Sequence, residues 1–333
     1  MTGTRDYNGI EIDHAGRGRI YGSVLETIGN TPIVRVPNLS AEEGLEADLL
    51  LKLEFFNPLA SVKDRIALGM ITALERDGKI KPGTVLVEPT SGNIGIGLAF
   101  IAASRGYCLI LTMPDSMSIE RRKMLAILGT ELVLTPKEEG ITGTLKKAAE
   151  LVESIEGAVM PSQFENPANP AIQEATTAEE IWRDTGGKVD AVVSGVGTGG
   201  TFTGCARVLK SKKTSLKMFA VEPEDSAVLS GGEPGPHMIQ GIGTGYIPEN
   251  MDKSLMDAAI PVSNEDAVET SRRLAKTEGI PVGISSGAAL AAGLRVAKMP
   301  EMQGTTIVVI IPSFAERYVS TALFEGLQSK RGG

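Results

Sequence analysis

The sequence predicts an α/β protein of two domains, each a mostly parallel sheet flanked by helices. Three observations carry that expectation. The strand-like runs, such as TVLVE and TIVVIIP, are short, β-branched and continuously apolar rather than alternating, the pattern of strands covered on both faces. Longer stretches with helical patterning separate them, which is the order of βαβ units. The chain has 333 residues, 42% of them apolar, enough for two cores of ordinary size.

Taken in order, strands are expected at 49–53, 84–88, 107–112, 131–135, 189–194, 217–222 and 306–312. Helices are expected at 63–77, 94–105, 118–128, 143–155, 171–184, 201–211, 264–278, 287–298 and 316–328. The 39 glycines exceed average usage and suit tight strand–helix junctions. The opening MTGTRDYNGIEIDHAGRGRIYG is mixed in charge and lacks the apolar core of a signal peptide, so it reads as a loosely held arm. FENPANP (164–170), with two prolines, marks a boundary between two α/β halves. SGGEPGPHMIQGIGTGYIP (230–248) reads as a long loop, and long loops in compact domains are usually functional.

Composition removes several classes. The net charge is −8, with no basic run interleaved with aromatics, which argues against nucleic-acid binding. Two cysteines, Cys108 and Cys205, stand far apart with no CxxC, unlike a disulfide scaffold or a zinc site and consistent with a reducing cytosol. With only His14 and His237, a histidine-based triad or histidine-rich metal site is close to excluded. No apolar run approaches the length of a membrane span.

Ligands in open α/β sheets bind beyond the carboxyl ends of the strands. Three hydroxyl-and-glycine turns lie in such places: PTSGNIGIG (89–97) after TVLVE, SGVGTGGT (194–201) after VDAVV, and ISSGAALAAG (284–293) after GIPVG. One such turn is ordinary turn chemistry. Three, each opening a small-residue helix, suggest several helix N-termini converging on one anionic ligand. The stretch VSGVGTGGTFTG holds five glycines and three threonines in twelve residues, and no charge. Lys63, in NPLASVKDR, opens a helix. The positive end of a helix dipole lowers an amine's pKa and favours nucleophile or base; the competing reading is a solvated surface lysine. Gln163 could orient a carboxylate or pair with backbone. IERRKM (119–124) reads as a solvated helix face, ERY (316–318) as the structural start of the last helix, and Met113, Met117 and Met124 as core.

NPLASVKDR, EPTSGNIG, GVGTGGT, IQGIG and GISSGAA, in this order and spacing, resemble the cysteine synthases (O-acetylserine sulfhydrylases). These are fold-type II enzymes, similar to the tryptophan synthase β chain, that use pyridoxal 5'-phosphate. The similarity runs from about Gly22 to ERYVSTALF and takes in MPDSMSIERRKML, QFENPANP and GPHMIQGIG. It implies that Lys63 is the Schiff-base lysine and that Asn93 bonds the cofactor's phenolic oxygen. Gly197, Thr198, Gly199, Gly200 and Thr201 would form the phosphate loop, and the Ser285 hydroxyl would face the pyridine nitrogen. Thr90, Ser91 and Asn93, with Gln163, would hold the substrate carboxylate. The loop from Gly241 to Gly245 would line the site's mouth. A neutral loop can hold a phosphate through backbone N–H groups and a helix dipole, which leaves Lys63 free for chemistry. A hydroxyl opposite the ring nitrogen weakens the electron sink, which suits β-elimination rather than transamination.

The resemblance further implies a β-replacement: O-acetyl-L-serine and sulfide give L-cysteine and acetate, with Lys63 moving the Cα proton. It implies an N-terminal arm (1–20), a smaller domain (57–166) that closes on substrate, and a larger one (21–56 with 167–333). It implies a cytoplasmic homodimer and a possible partner in the C-terminal tail of serine acetyltransferase. Two departures stand out. Ile94 lies in SGNIG where these relatives usually carry threonine, and plant β-cyanoalanine synthases carry methionine there. Ala315 stands in SFAERY where relatives usually have glycine. A β-cyanoalanine synthase, or another β-replacement with a different nucleophile, therefore stays open. So does a catalytically silent partner of serine acetyltransferase.

Overall fold

A computed structural model of the chain describes residues 4–7, 10–13, 18–90 and 92–327. In chain order the elements are β1 (Thr4–Tyr7), β2 (Ile10–Asp13), β3 (Ile33–Arg35), α1 (Pro37–Glu43), β4 (Asp48–Leu53), α2 (Lys63–Arg76), β5 (Val85–Pro89), α3 (Asn93–Arg105), β6 (Cys108–Pro114), α4 (Ile119–Ile127), β7 (Glu131–Thr135) and α5 (Gly140–Ser154). Then follow α6 (Ala168–Gln173), α7 (Glu179–Asp184), β8 (Val189–Gly195), α8 (Gly200–Lys212), β9 (Lys217–Pro223), β10 (Ala258–Val262), α9 (Asn264–Glu278), α10 (Ile284–Ala297) and β11 (Thr306–Ile311). A π-helical segment, Glu174–Ala178, joins α6 to α7. There Thr176 Oγ1 donates to the Ile172 carbonyl and Thr177 Oγ1 to Gln173 Oε1, side-chain bonds of the kind that disturb a regular helical ladder.

Apart from a two-stranded ribbon of β1 and β2, the strands form two sheets of different size. One has six strands in the order β10-β9-β8-β11-β4-β3, parallel except where β3 runs against β4. The other has three parallel strands, β5-β6-β7. Every expected strand is found, and the α/β class with parallel sheets flanked by helices holds. The strands β3 and β10 and the helix α1 were not expected. Nor was the antiparallel ribbon of β1 and β2, which occupies the described part of the segment read as an arm.

Each face of the large sheet has its own core. Leu49, Leu51, Ile307 and Val309 pack with α9 and α10 on one side. Leu50, Val192, Val308 and Ile310 pack with α8 on the other. This alternation explains the continuous apolar runs, since odd and even residues of a strand point to opposite faces. Each fully buried aliphatic side chain contributes about 1.5–3 kcal/mol. Among the residues of α10 only Arg295 is not buried, as expected of a helix apolar all round. In the small unit, α2 and α3 pack on one face of β5-β6-β7, and α5 on the other. Gly97 of α3 lies against α2 so closely that a Cβ there would meet the Lys63 carbonyl oxygen at 2.8 Å.

One expected helix is not formed among the described residues. The run 316–328 gives a 3-10 turn, Ala315–Tyr318, and then turns through Gly326. Arg272 of α9 explains why: it donates to the carbonyls of Ala322, Leu323 and Glu325, acceptors that an α-helix would use internally. Met124 is another correction. It is exposed on α4, while Met113 is buried and Met117 packs against the small core. In IERRKM, Glu120 and Lys123 are exposed but Arg121 is half-buried.

Candidate active site

The carboxyl ends of both sheets open on one cavity of about 230 Å³. At its floor lies Lys63, the first residue of α2. Its ammonium has no hydrogen bond or ion pair among the described residues. Desolvation lowers its pKa to about 8, because burial penalises the charged form and no anion repays the penalty.

Two residues along the helix the electrostatics reverse. Arg65 bonds Glu54 Oε2 at 2.7 Å and Glu180 Oε1 at 2.7 Å, and Lys52 Nζ bonds Glu180 Oε2 at 2.7 Å. Burial alone would lower the Arg65 pKa, but Glu54 and Glu180 hold it above its ordinary value. Burial alone would raise that of Glu180, but Arg65 and Lys52 hold it below the usual carboxylate range. This buried cluster ties the first turn of α2 to the six-stranded sheet and to α7.

Opposite Lys63 stands the turn between β8 and α8. Gly197, Thr198, Gly199 and Thr201 line the cavity. A Cβ at Gly197 would sit 2.2 Å from the Gly241 carbonyl oxygen, so the loop tolerates no side chain there. Gly199 has φ +82°, a left-handed conformation natural to glycine. Gly200 does not line the cavity; its Cα faces Asn169, whose Oδ1 would be 2.0 Å from an added Cβ. Ser285, in the first turn of α10, is buried and lines the cavity beside Gly241, Ile242 and Gln240. Its hydroxyl has no hydrogen-bond partner among the described residues.

The third wall is the β5–α3 turn. Thr90, Gly92, Asn93 and Ile94 line it, and Thr90 Oγ1 accepts from the Gly92 N–H at 3.0 Å. Ser91 lies outside the described residues. Ile94 is buried, adding an apolar branch to the wall. Gln163 comes in from the segment after α5 and also lines the cavity. Its N–H and that of Ser162 donate to Glu88 at 3.1 and 2.9 Å. Its carbonyl accepts from Asn169 at 2.9 Å and Asn250 at 3.0 Å. With the backbone so held, the Gln163 side chain is left to the cavity.

Several participants were not singled out from sequence. Arg317 donates to Asn93 Oδ1 at 3.0 Å, and Asn93 Nδ2 to the Tyr318 hydroxyl at 3.2 Å. Tyr318 in turn lies 2.9 Å from Ser313 Oγ. ERY is thus a contact of the cavity's asparagine rather than a helix start, and a helix expected at 316–328 concealed it. Glu88, at the end of β5, carried a signal: a carboxylate at a strand's carboxyl end, just before the turn. Its pKa is raised to about 7 by burial, against the pull of the two N–H donors. Burial likewise raises Asp64, beside Lys63, to about 7. Desolvation lowers the pKa of Arg317 and of Arg121.

Chemically, the cavity offers an amine without counter-ion, a neutral turn of N–H groups and hydroxyls at a helix N-terminus, and the Ser285 hydroxyl in the same lining. A phosphate fits that turn; a carbonyl carbon fits the amine. Together they define a site for a phosphate-bearing aldehyde, and pyridoxal phosphate is such a group.

The comparisons with known proteins agree. The family described as pyridoxal-phosphate dependent enzyme matches residues 24–313, and the chain belongs to that family. Within it, the chain is 52% identical over 304 residues to a cysteine synthase of Staphylococcus aureus strain Mu50, covering 91% of this chain and 96% of that one. A cysteine synthase crystal structure from Entamoeba histolytica superposes with a TM-score of 0.91 at 44% identity, covering 95% of this chain and 94% of that one. An O-ureido-L-serine synthase superposes at 0.89 with 42% identity, covering 94% and 98%. The protein is a pyridoxal-phosphate-dependent enzyme of the cysteine synthase group.

Proposed function

We infer that the protein makes L-cysteine and acetate from O-acetyl-L-serine and sulfide. The observation that carries this reading is the lone Lys63 amine in one cavity with the uncharged Gly197, Thr198, Gly199 and Thr201 of the β8–α8 turn. Lys63 Nζ would be the group to hold the aldehyde carbon, and the N–H groups of the β8–α8 turn with the Thr198 and Thr201 hydroxyls would hold the phosphate. Ser285 would serve the ring nitrogen and Asn93 the phenolic oxygen, both being residues that line the cavity. Thr90, Ser91, Asn93 and Gln163 would take the substrate carboxylate, the described three lining the same cavity as Lys63.

The cofactor, when bound, supplies the electron sink that makes the Cα proton acidic. With the substrate amine in its place on the aldehyde carbon, the freed Lys63 Nζ would remove that proton as acetate departs from Cβ, and return it to Cα once sulfide has formed the new C–S bond. A pKa of about 8 suits both steps near neutral pH, because a group near the operating pH gives and takes protons with similar ease. Closure of the smaller unit, 57–166, on the larger, 21–56 with 167–333, excludes water during the reaction.

The same carboxylate end would accept the terminal carboxylate of a serine acetyltransferase tail, and the enzyme works as a cytoplasmic homodimer. The nucleophile is the point where a second reading has support: Ile94 makes the cavity wall apolar, and a relative of the same fold is an O-ureido-L-serine synthase.

One spectroscopic titration tests both. Purified holoenzyme is expected to change its visible absorption on addition of O-acetylserine and to recover it rapidly with sulfide. Recovery with cyanide but not sulfide would replace the acceptor. A protein that never takes up pyridoxal phosphate would overturn the reading.

A further inference from the structure

Asn169 is fully buried in α6, outside the cavity, yet it bridges two of the cavity's walls. Its Nδ2 donates to the Gln163 carbonyl at 2.9 Å and to Thr198 Oγ1 at 2.8 Å. Its Oδ1 is buried without a partner, against the bare Cα of Gly200. The amide has only one sensible orientation. A backbone carbonyl is an acceptor and nothing else, so Nδ2 must face Gln163, and that same nitrogen faces Thr198. The Thr198 oxygen therefore accepts from Asn169. Its own hydrogen is left to point elsewhere, and Thr198 lines the cavity.

We propose that Asn169 is a positioning residue that fixes the Thr198 hydroxyl as a donor to a phosphate ester and ties that hydroxyl to Gln163. The inference rests on the proposed function, since the phosphate is the cofactor's. A hydroxyl can give or accept a hydrogen bond, and a phosphate dianion wants donors only. By donating to one of the hydroxyl's two lone pairs, Asn169 turns the Thr198 hydrogen away from itself and toward the ligand before it arrives, as preorganised electrostatics require. Gly200 belongs to the same device. It was read as a cofactor contact; its Cα is also the bed on which the asparagine amide lies, where an added Cβ would come 2.0 Å from Oδ1. The bridge also joins the phosphate loop to the segment bearing Gln163, so a shift of one segment is felt by the other.

The test compares Asn169→Asp with Asn169→Ala in the holoenzyme, reading the dissociation constant for pyridoxal phosphate and the phosphorus NMR resonance of the bound cofactor. The aspartate is the same size, but it accepts the Thr198 hydrogen, repels the Gln163 carbonyl and turns a lone pair toward the phosphate. It should weaken retention about thirtyfold or more, as expected for charged hydrogen-bond partners, whereas alanine should cost about two- to tenfold. The phosphorus resonance should move more in the aspartate variant. In a Thr198→Val background, Asn169→Ala should cost nothing further. Equal losses for Asp and Ala that track urea stability, or no loss in either, would overturn the inference while leaving wild-type cofactor binding intact. If Asn169→Asp does not fold, the Ala/Val cycle decides, and additive losses overturn it. A wild-type protein that binds no pyridoxal phosphate would instead remove the functional reading, and this inference with it.

Discussion

Lys52 and Lys63 lie close in sequence and have opposite surroundings. Lys52 is fully buried and bonded to Glu180 and to the Thr31 carbonyl, each at 2.7 Å. Lys63 lines a cavity with no partner among the described residues, and its amine is pushed down to about 8. Arg65, two residues after Lys63, completes the Lys52 cluster with Glu54 and Glu180. The difference separates two uses of a buried cation. A paired one holds elements together and stays charged. An unpaired one sits close to neutrality, where it can attack a carbonyl or move a proton. The cluster does not activate Lys63 directly; it fixes the turn of helix on which Lys63 stands.

The sharpest way to break this comparison is to remove each lysine in turn. Lys63→Ala should lower turnover at least ~10³-fold, the scale of a lost acid–base group, with the urea midpoint nearly unchanged. Lys52→Met should do the reverse. It leaves Glu180 short of a partner in a buried site and should cost about 3–5 kcal/mol of stability, read by urea unfolding, while folded protein keeps its cofactor. Activity loss in both without stability loss in either would erase the distinction.

Gly197→Ala addresses the β8–α8 turn. The added methyl would meet the Gly241 carbonyl at 2.2 Å, so a shift of the loop costs about 1–3 kcal/mol and spoils the phosphate site. Gel-filtered protein should then lose most of its cofactor absorbance.

The smallest effect is in the pH dependence of the cofactor-free protein. The Lys63 pKa lies near 8 when folded against an ordinary 10.5. Between those values the unfolded chain binds the extra proton, so stability rises with pH across the window and is lost as pH falls through 8. Lys63→Met should lack that slope. Asp64 and Glu88 act in the opposite sense, because burial raises both to about 7 from 3.8 and 4.5. Their stabilising contribution is present below those lower values and fades as pH rises toward 7. Glu88→Gln should flatten that acid-side slope in urea titrations taken across it.

Much of this was legible in the sequence because the signals were local. IVVII and AVV are unbroken apolar runs because β11 and β8 lie in the middle of a sheet with both faces covered. Edge strands were missed for the complementary reason: β3 (IVR) and β10 (AAIPV) are short or proline-bearing and half-exposed. Lys63, Thr90, Asn93, Gln163, Thr198 and Ser285 lie in segments 222 residues apart at the extremes, and the fold brings all six to one cavity. Two of the hydroxyl-and-glycine turns follow strands and marked Thr90, Asn93 and Thr198; the third, with Ser285, follows only an isolated bridge at Val282, and Lys63 and Gln163 were weighed on other stretches. Nothing comparable marked Asn169 or Arg317. Their roles depend on what lies across the fold, Thr198 in one case and Asn93 in the other. The helix expected at 316–328 failed for the same reason, since Arg272 of a distant helix takes its carbonyls.

The most direct test of the central claim, that the unpaired lysine is the reactive one, is reduction of the holoenzyme with borohydride followed by peptide mapping. The account predicts the cofactor's mass on the peptide containing Lys63 and on no other lysine. A label on Lys52, on a surface lysine, or spread over several would contradict it.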